Sequence, residues 1–377
     1  MTLLAKSRKV ILWVIINVIA VIFIVALCEG FSSLVLFLQA ISEARPLAER
    51  RHTQYDELLG WVNIPNLDIK DMYGPGVYLR TNSQSFRNNR DFQVNIPHNK
   101  IRIICSGDSF TFGYGVDNDH TWCERLTTQD SRLETVNMGQ GGYGIDQAYL
   151  WYKRDGSKLE HNLQIFAFIT NDFRRMERDS FSGYGKPLLK LQKGRLQTTN
   201  VPVPRRAFYM PWIMQNRKAI DGLKSIQLLR NLFFQGDVKT EAEAGDLPTY
   251  DPASSEEIAF KILEDLVRLN KAKNSTLVLV YLPGQNFTDR DLKHWRQQVH
   301  TAAERLRIIF IDLIDEFKDL PPDELAKMFI QEGQVTDYGV APGHYTVKGN
   351  QYVADALYKR LLASPEIVNK LTEISQK

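Results

Sequence analysis

Cysteine is scarce: three residues, Cys28, Cys105 and Cys123, in a chain of 377. Three cannot build a disulfide framework, and their spacing matches no zinc motif. Charge of one sign is also missing. Lys and Arg number 47 against 44 for Asp and Glu, a net of +3, which gives no field for a polyanion and argues against nucleic acid as a partner. No internal repeat or low-complexity tract is present, and charged residues make up 24%, so disorder is excluded for most of the chain. Long apolar runs are absent too, with one exception.

That exception is Val10 to Cys28, nineteen residues in which only Asn17 is polar. As a helix it spans about 28 Å, enough for a hydrocarbon core of about 30 Å. The mean hydropathy of the whole chain is nevertheless negative, so the remainder is distinctly hydrophilic. Lys6, Arg8 and Lys9 precede the run and predict a cytoplasmic N-terminus with the body exported. A cleaved signal peptide is the rival. The run exceeds its usual apolar core of about 7–15 residues, the exit Ala26-Leu27-Cys28-Glu29-Gly30 has no small-x-small site, and Phe31 to Leu38 is apolar again. An uncleaved anchor over 1–41, with residues 10–28 in the bilayer, is the expectation. Cys105 and Cys123 read first as buried small hydrophobes, with a bridge between them as the lesser alternative.

Residues 42–99 read as a charged juxtamembrane spacer and a loop-rich lead with turn signals at Pro65-Asn66 and Pro75-Gly76. From residue 100 the pattern changes. Apolar runs at Ile101–Cys105, Thr135–Met138, Leu163–Thr170, Thr276–Leu282 and Ile308–Ile314 alternate with helical patterns near 119–128, 146–158, 255–271, 288–305 and 346–362. Continuous apolar strands are covered on both faces, so the alternation predicts a doubly wound parallel α/β sandwich over 100–364. Its chemistry belongs at the carboxyl ends of the strands. An excursion at 173–252, with a helix expected near Lys218–Phe234, interrupts the rhythm, and 365–377 reads as a tail.

Four stretches fall at those strand ends. Gly107-Asp108-Ser109 follows the first strand, where backbone N–H groups at a helix start can hold an oxyanion. The plain alternative is a capped turn. Asn137 to Gly144 follows the second; its glycines let backbone N–H groups approach a ligand, and Asp146 is not placed as the ribose partner of a dinucleotide fingerprint. Thr170-Asn171-Asp172 follows the third, and an asparagine amide can donate to a developing oxyanion without adding charge. Gly343-His344 precedes the last helix and is the one histidine of seven in a late loop after the fifth strand. Each alone has an ordinary structural explanation as a turn or cap.

Together, Ser, Gly, Asn and His in that order resemble the SGNH, or GDSL-type, hydrolases. The resemblance covers about Leu59 to Leu362. Leu59-Gly60-Trp61, Thr81 to Arg87 and Gly113-Tyr114-Gly115-Val116 are similar to the membrane-anchored bacterial branch. It implies a flavodoxin-like three-layer sandwich with a five-stranded parallel sheet. It also implies Ser109 as nucleophile, His344 as base and then acid, and an oxyanion hole from the Ser109 and Gly142 backbone N–H groups and the Asn171 side chain. No metal or cofactor is implied. The expected substrate is an acylated small molecule or glycan, with an O-acetylated envelope glycan foremost. Hydrolysis, acyl transfer to a glycan, and glycan binding with weak catalysis remain open at this stage. One departure stands out. The family places an Asp three residues before the His, where this chain has Ala341. A backbone carbonyl could orient the imidazole instead, Asp337 could fold back to it, or the site could be crippled.

Overall fold

The computed structural model describes residues 3–42, 52–181, 184–204, 225, 228, 252–285, 287, 290–334 and 341–375. The chain divides into two compact units, Met1–Arg45 with Arg206–Gly245, and Pro46–Arg205 with Asp246–Lys377.

The first unit is dominated by helix α1, Leu3–Ser42. Lys9–Val35 within it is long and apolar enough to cross a membrane. Its apolar side chains from Val10 to Val25 are at least half exposed or nearly so, as a lipid-facing helix requires. The one polar side chain of the run is satisfied locally: Asn17 Nδ2 donates to the Trp13 carbonyl at 2.7 Å. The helix continues unbroken through Phe31–Leu38. Of the helix expected at Lys218–Phe234, only Ser225 and Leu228 are described, and both are helical.

The second unit is built on one parallel sheet: β1 Ile101–Gly107, β2 Leu133–Gly139, β3 Leu163–Phe168, β4 Thr276–Tyr281 and β5 Ile309–Asp312. The spatial order is β2-β1-β3-β4-β5, all parallel. This is the flavodoxin-like order, with a topological switch point where the first strand lies between the second and third. The first four strands are buried along their whole length, which explains their lack of polar alternation.

Alternate strand residues feed two cores. Ile104, Val136, Phe166, Phe168 and Leu279 meet the helices α4 (Ile145–Arg154), α6 (Pro252–Ala272) and α7 (Arg290–Leu306). Ile103, Cys105, Ile165, Val278 and Val280 meet α3 (Trp122–Gln129), α8 (Val347–Leu362) and α9 (Pro365–Ser375). The result is a three-layer sandwich. Helix α9 occupies the segment read as a tail. Its Ile367 and Leu371, one turn apart, are buried beside α8.

Two further segments are more ordered than expected. From His52 onward the lead is packed onto the sandwich rather than spacing it from the anchor. A hairpin of Thr53–Asp56 with Gly60–Asn63 places Trp61 in the core. Within the excursion, Leu188–Gln192 pairs with Arg195–Thr199 around Lys193-Gly194, both with positive φ (52° and 73°), a primed hairpin turn.

Candidate active site

Strand β1 delivers Ser109 to the carboxyl edge of the sheet. Gly107 ends the strand because a side chain there would strike Thr111 Oγ1 at 2.2 Å and the Ala167 carbonyl at 2.6 Å. Asp108 then caps the short helix α2, Ser109–Phe112, accepting from the Phe110 N–H at 2.9 Å. Gly113 closes it in the left-handed conformation, φ 92°, and donates to the Ser109 carbonyl at 2.8 Å. The exposed carbonyls of this turn are gathered by one buried cation from the lead. Arg87 donates to Phe112 O and Gly113 O at 2.5 Å each, to Asn118 Oδ1 at 3.0 Å, and to Val116 O. Charge-assisted bonds to buried carbonyls are each worth roughly 1.5–3 kcal/mol.

His344 arrives from the far end of the chain. Its loop is pinned by backbone bonds, Ile330 N to His344 O and Gly343 N to Ile330 O, both 2.8 Å. The imidazole lies between Phe110 (centroids 4.7 Å apart) and Tyr114 (5.2 Å). Its Nε2 is 2.7 Å from Ser109 Oγ, and its Nδ1 is 3.2 Å from the Ala341 carbonyl. A carbonyl can only accept, so Nδ1 carries the proton and Nε2 is left to accept from the serine hydroxyl. That is the tautomer a general base needs. At the position where the family has a carboxylate, the main chain of Ala341 supplies the orienting acceptor. Asp337 lies outside the described residues.

Gly142 sits in the β2–α4 loop with φ 76°, and a Cβ there would meet the Phe181 ring at 2.5 Å. Both facts require glycine. The loop is held by the lead: Trp61 Nε1 donates to Gly141 O at 2.9 Å, and Gln140 Nε2 donates to Asn63 Oδ1 at 2.8 Å. Asn171 is on the first turn of α5, Thr170–Met176, which starts at the end of β3. Arg174 donates to its Oδ1 at 3.3 Å, which leaves the Nδ2 end to donate elsewhere. Among the described residues, no acceptor lies within hydrogen-bond reach of the Ser109 N–H, the Gly142 N–H or Asn171 Nδ2. Three donors on three adjacent strand ends are thus uncommitted.

Behind these loops lies a buried ionic cluster that sequence reasoning did not single out. Arg175 Nη1 is 2.7 Å from Asp172 Oδ1 and 3.3 Å from Asp108 Oδ2. Lys186 from the excursion is fully buried 3.4 Å from Asp146 Oδ2. Burial raises the Asp108 and Asp146 carboxyls, against the pull of Arg175 and Lys186 respectively. Asp172 rises well above the carboxylate range, through burial first and the neighbouring Asp108 charge second. The i, i+3 spacing of Asp172 and Arg175 on one helix was the available signal. Arg87 gave no signal, because nothing local marks an arginine as buried.

No group of three or more metal-ligating side chains occurs among the described residues. Cys105 and Cys123 are free, buried thiols, and burial pushes the Cys123 thiol well up.

The fold and site define a doubly wound α/β protein with a serine–histidine pair at the carboxyl edge of its parallel sheet. No protein-family model matches the chain, and no curated protein matches it. Among solved structures, a member of the lipolytic G-D-S-L family from Veillonella parvula is 14% identical, with a TM-score of 0.38, covering 69% of this chain and 97% of its own. A putative lipolytic protein of the same family from Desulfitobacterium hafniense is 14% identical, with a TM-score of 0.37, covering 69% and 99%. A catalytic mutant of an acetylxylan esterase from Geobacillus stearothermophilus is 12% identical, with a TM-score of 0.39, covering 70% and 95%. Likeness at this level carries no inference about chemistry.

Proposed function

We propose that this chain is a membrane-anchored serine esterase that removes O-acyl groups through an acyl-serine intermediate. The observation that carries the reading is the 2.7 Å contact between His344 Nε2 and Ser109 Oγ. Ser109 Oγ attacks the ester carbonyl as His344 takes its proton. The oxyanion forms against the Ser109 N–H, the Gly142 N–H and Asn171 Nδ2. The imidazolium then protonates the departing alkoxide, and water, deprotonated by the same His344, releases the acyl group and restores the serine. The Ala341 carbonyl accepts from Nδ1–H and so holds the tautomer this sequence of proton transfers needs.

Anchoring through α1, with Lys6, Arg8 and Lys9 on the cytoplasmic side, puts the site outside that membrane. An acyl, foremost acetyl, ester on an envelope or extracellular glycan is the proposed substrate, supported by the family resemblance and that location. Full-length protein in detergent should hydrolyse p-nitrophenyl acetate, and Ser109→Ala should not. Equal rates for the two would defeat the reading. Mass detection of an acylated oligosaccharide as the main product would redirect it to acyl transfer.

A further inference from the structure

We propose that Arg175 is the positioning residue that sets the three oxyanion donors as one unit, an inference resting on the serine-esterase reading above. A single nitrogen of its guanidinium, Nη1, lies 2.7 Å from Asp172 Oδ1, 3.3 Å from Asp108 Oδ2 and 3.3 Å from the Tyr143 carbonyl. Each acceptor is the immediate chain neighbour of one proposed donor. Asp108 precedes Ser109, Tyr143 follows Gly142, and Asp172 follows Asn171. The three loops leave β1, β2 and β3, so one cation ties the ends of three adjacent strands at the place where the donors must converge.

Two further contacts of Arg175 serve the same geometry. Its guanidinium lies 5.4 Å from the centre of the Phe181 ring, the ring that covers Gly142. Its own carbonyl accepts from Lys186 Nζ, which pairs with Asp146 on α4 just after the glycine loop. The Arg175 side chain is 11% exposed and the Asp108 and Asp172 side chains 1–2%, so these interactions work in a medium that screens them little. Without the cation, the buried Asp108 and Asp172 carboxyls at the bases of the Ser109 and Asn171 loops would lose their charged partner. The guanidinium touches neither Ser109 Oγ nor His344 in the contacts described, so it acts through the donors and not on the reacting atoms. Nη1 carries two N–H groups for three acceptors, so at least one is shared, while the guanidinium plane packs on the Phe181 ring; a lysine ammonium lacks that plane.

Three variants of the full-length protein in detergent test this: Arg175→Lys, Arg175→Gln, and the double variant Arg175→Gln/Asp172→Asn, which removes charge of both signs and keeps the fold if the single change does not. Hydrolysis of p-nitrophenyl acetate and inhibition by phenylboronic acid, which forms a tetrahedral anionic adduct on a nucleophilic serine, are measured together. Expected is a fall of about 100-fold in kcat, the scale of losing an oxyanion donor, with boronate affinity falling by a similar factor and KM changing less than about threefold. A kcat within about threefold of wild type for Arg175→Lys or the double variant would overturn the inference, as would boronate affinity that survives a loss of kcat. If wild type is active and the variants match it, only this inference fails. If wild type is no faster than Ser109→Ala, the esterase reading fails and takes this inference with it.

Discussion

Ser109 and His344 meet at 2.7 Å, but the segments that bring them there are built differently. The nucleophile side is held by buried charge. Arg87 gathers the carbonyls that follow α2, and Arg175 sits against Asp108 and Asp172 beneath it. The base side is held by main chain and rings: the Ala341 and Ile330 backbone, Phe110 and Tyr114. Buried charge networks are costly to half-break, so the first side is geometrically over-determined. The second side fixes a tautomer through a main-chain carbonyl.

Five variants probe that contrast, from the largest expected effect to the smallest. His344→Ala removes the imidazole 2.7 Å from Ser109 Oγ, and kcat for p-nitrophenyl acetate should drop by about 10⁴-fold or more. Asn171→Ala deletes one donor and should lower kcat by roughly 10²–10³-fold with KM nearly unchanged, read from the same steady-state assay. If the second loss exceeded the first, the oxyanion donors and not His344 would carry the larger share of the rate. Arg87→Met strips four acceptors of their donor and should cost about 3 kcal/mol of unfolding free energy in urea titrations. The corresponding loss at the base side, for Phe110→Leu, should stay near 1 kcal/mol.

The fifth variant concerns pH. His52 packs on Phe112 and Tyr114, with ring centres 5.5 and 5.9 Å away, and burial together with the Arg87 charge pushes its pKa down to about 3. Above about pH 6.5 the imidazole is neutral folded or unfolded and contributes no pH dependence. Below that the unfolded chain takes up a proton that the folded one refuses, so stability falls with pH, by up to about 1.4 kcal/mol per unit until pH 3. His52→Leu should be flatter than wild type between pH 6.5 and 4.5 in denaturant midpoints. An unchanged slope would show that acid does not act on the nucleophile side through this residue.

Much of this was legible in the sequence, for physical reasons. A strand buried on both faces must be continuously apolar, and all five runs became strands within about two residues of their expected ends. Ser109, Gly142, Asn171 and His344 lie at strand ends or before the last helix, where topology alone brings them to one edge. The lead was misjudged because its order comes from long-range bonds such as Trp61 to Gly141 and Arg87 to Gly113, which leave no local period. Helix α9 was missed because three short turns with two buried residues resemble a solvated tail. The ionic cluster was missed because charged residues are ordinarily exposed, and only tertiary structure places Lys186 beside Asp146.

The central claim is that Ser109 is a nucleophile made reactive by His344. It is tested most directly by treating full-length wild type and His344→Ala with a serine-reactive fluorophosphonate and locating the adduct by peptide mass spectrometry. The account predicts a stoichiometric adduct on Ser109 in wild type and almost none in His344→Ala. An unlabelled Ser109 in wild type, or equal labelling of both proteins, would contradict it.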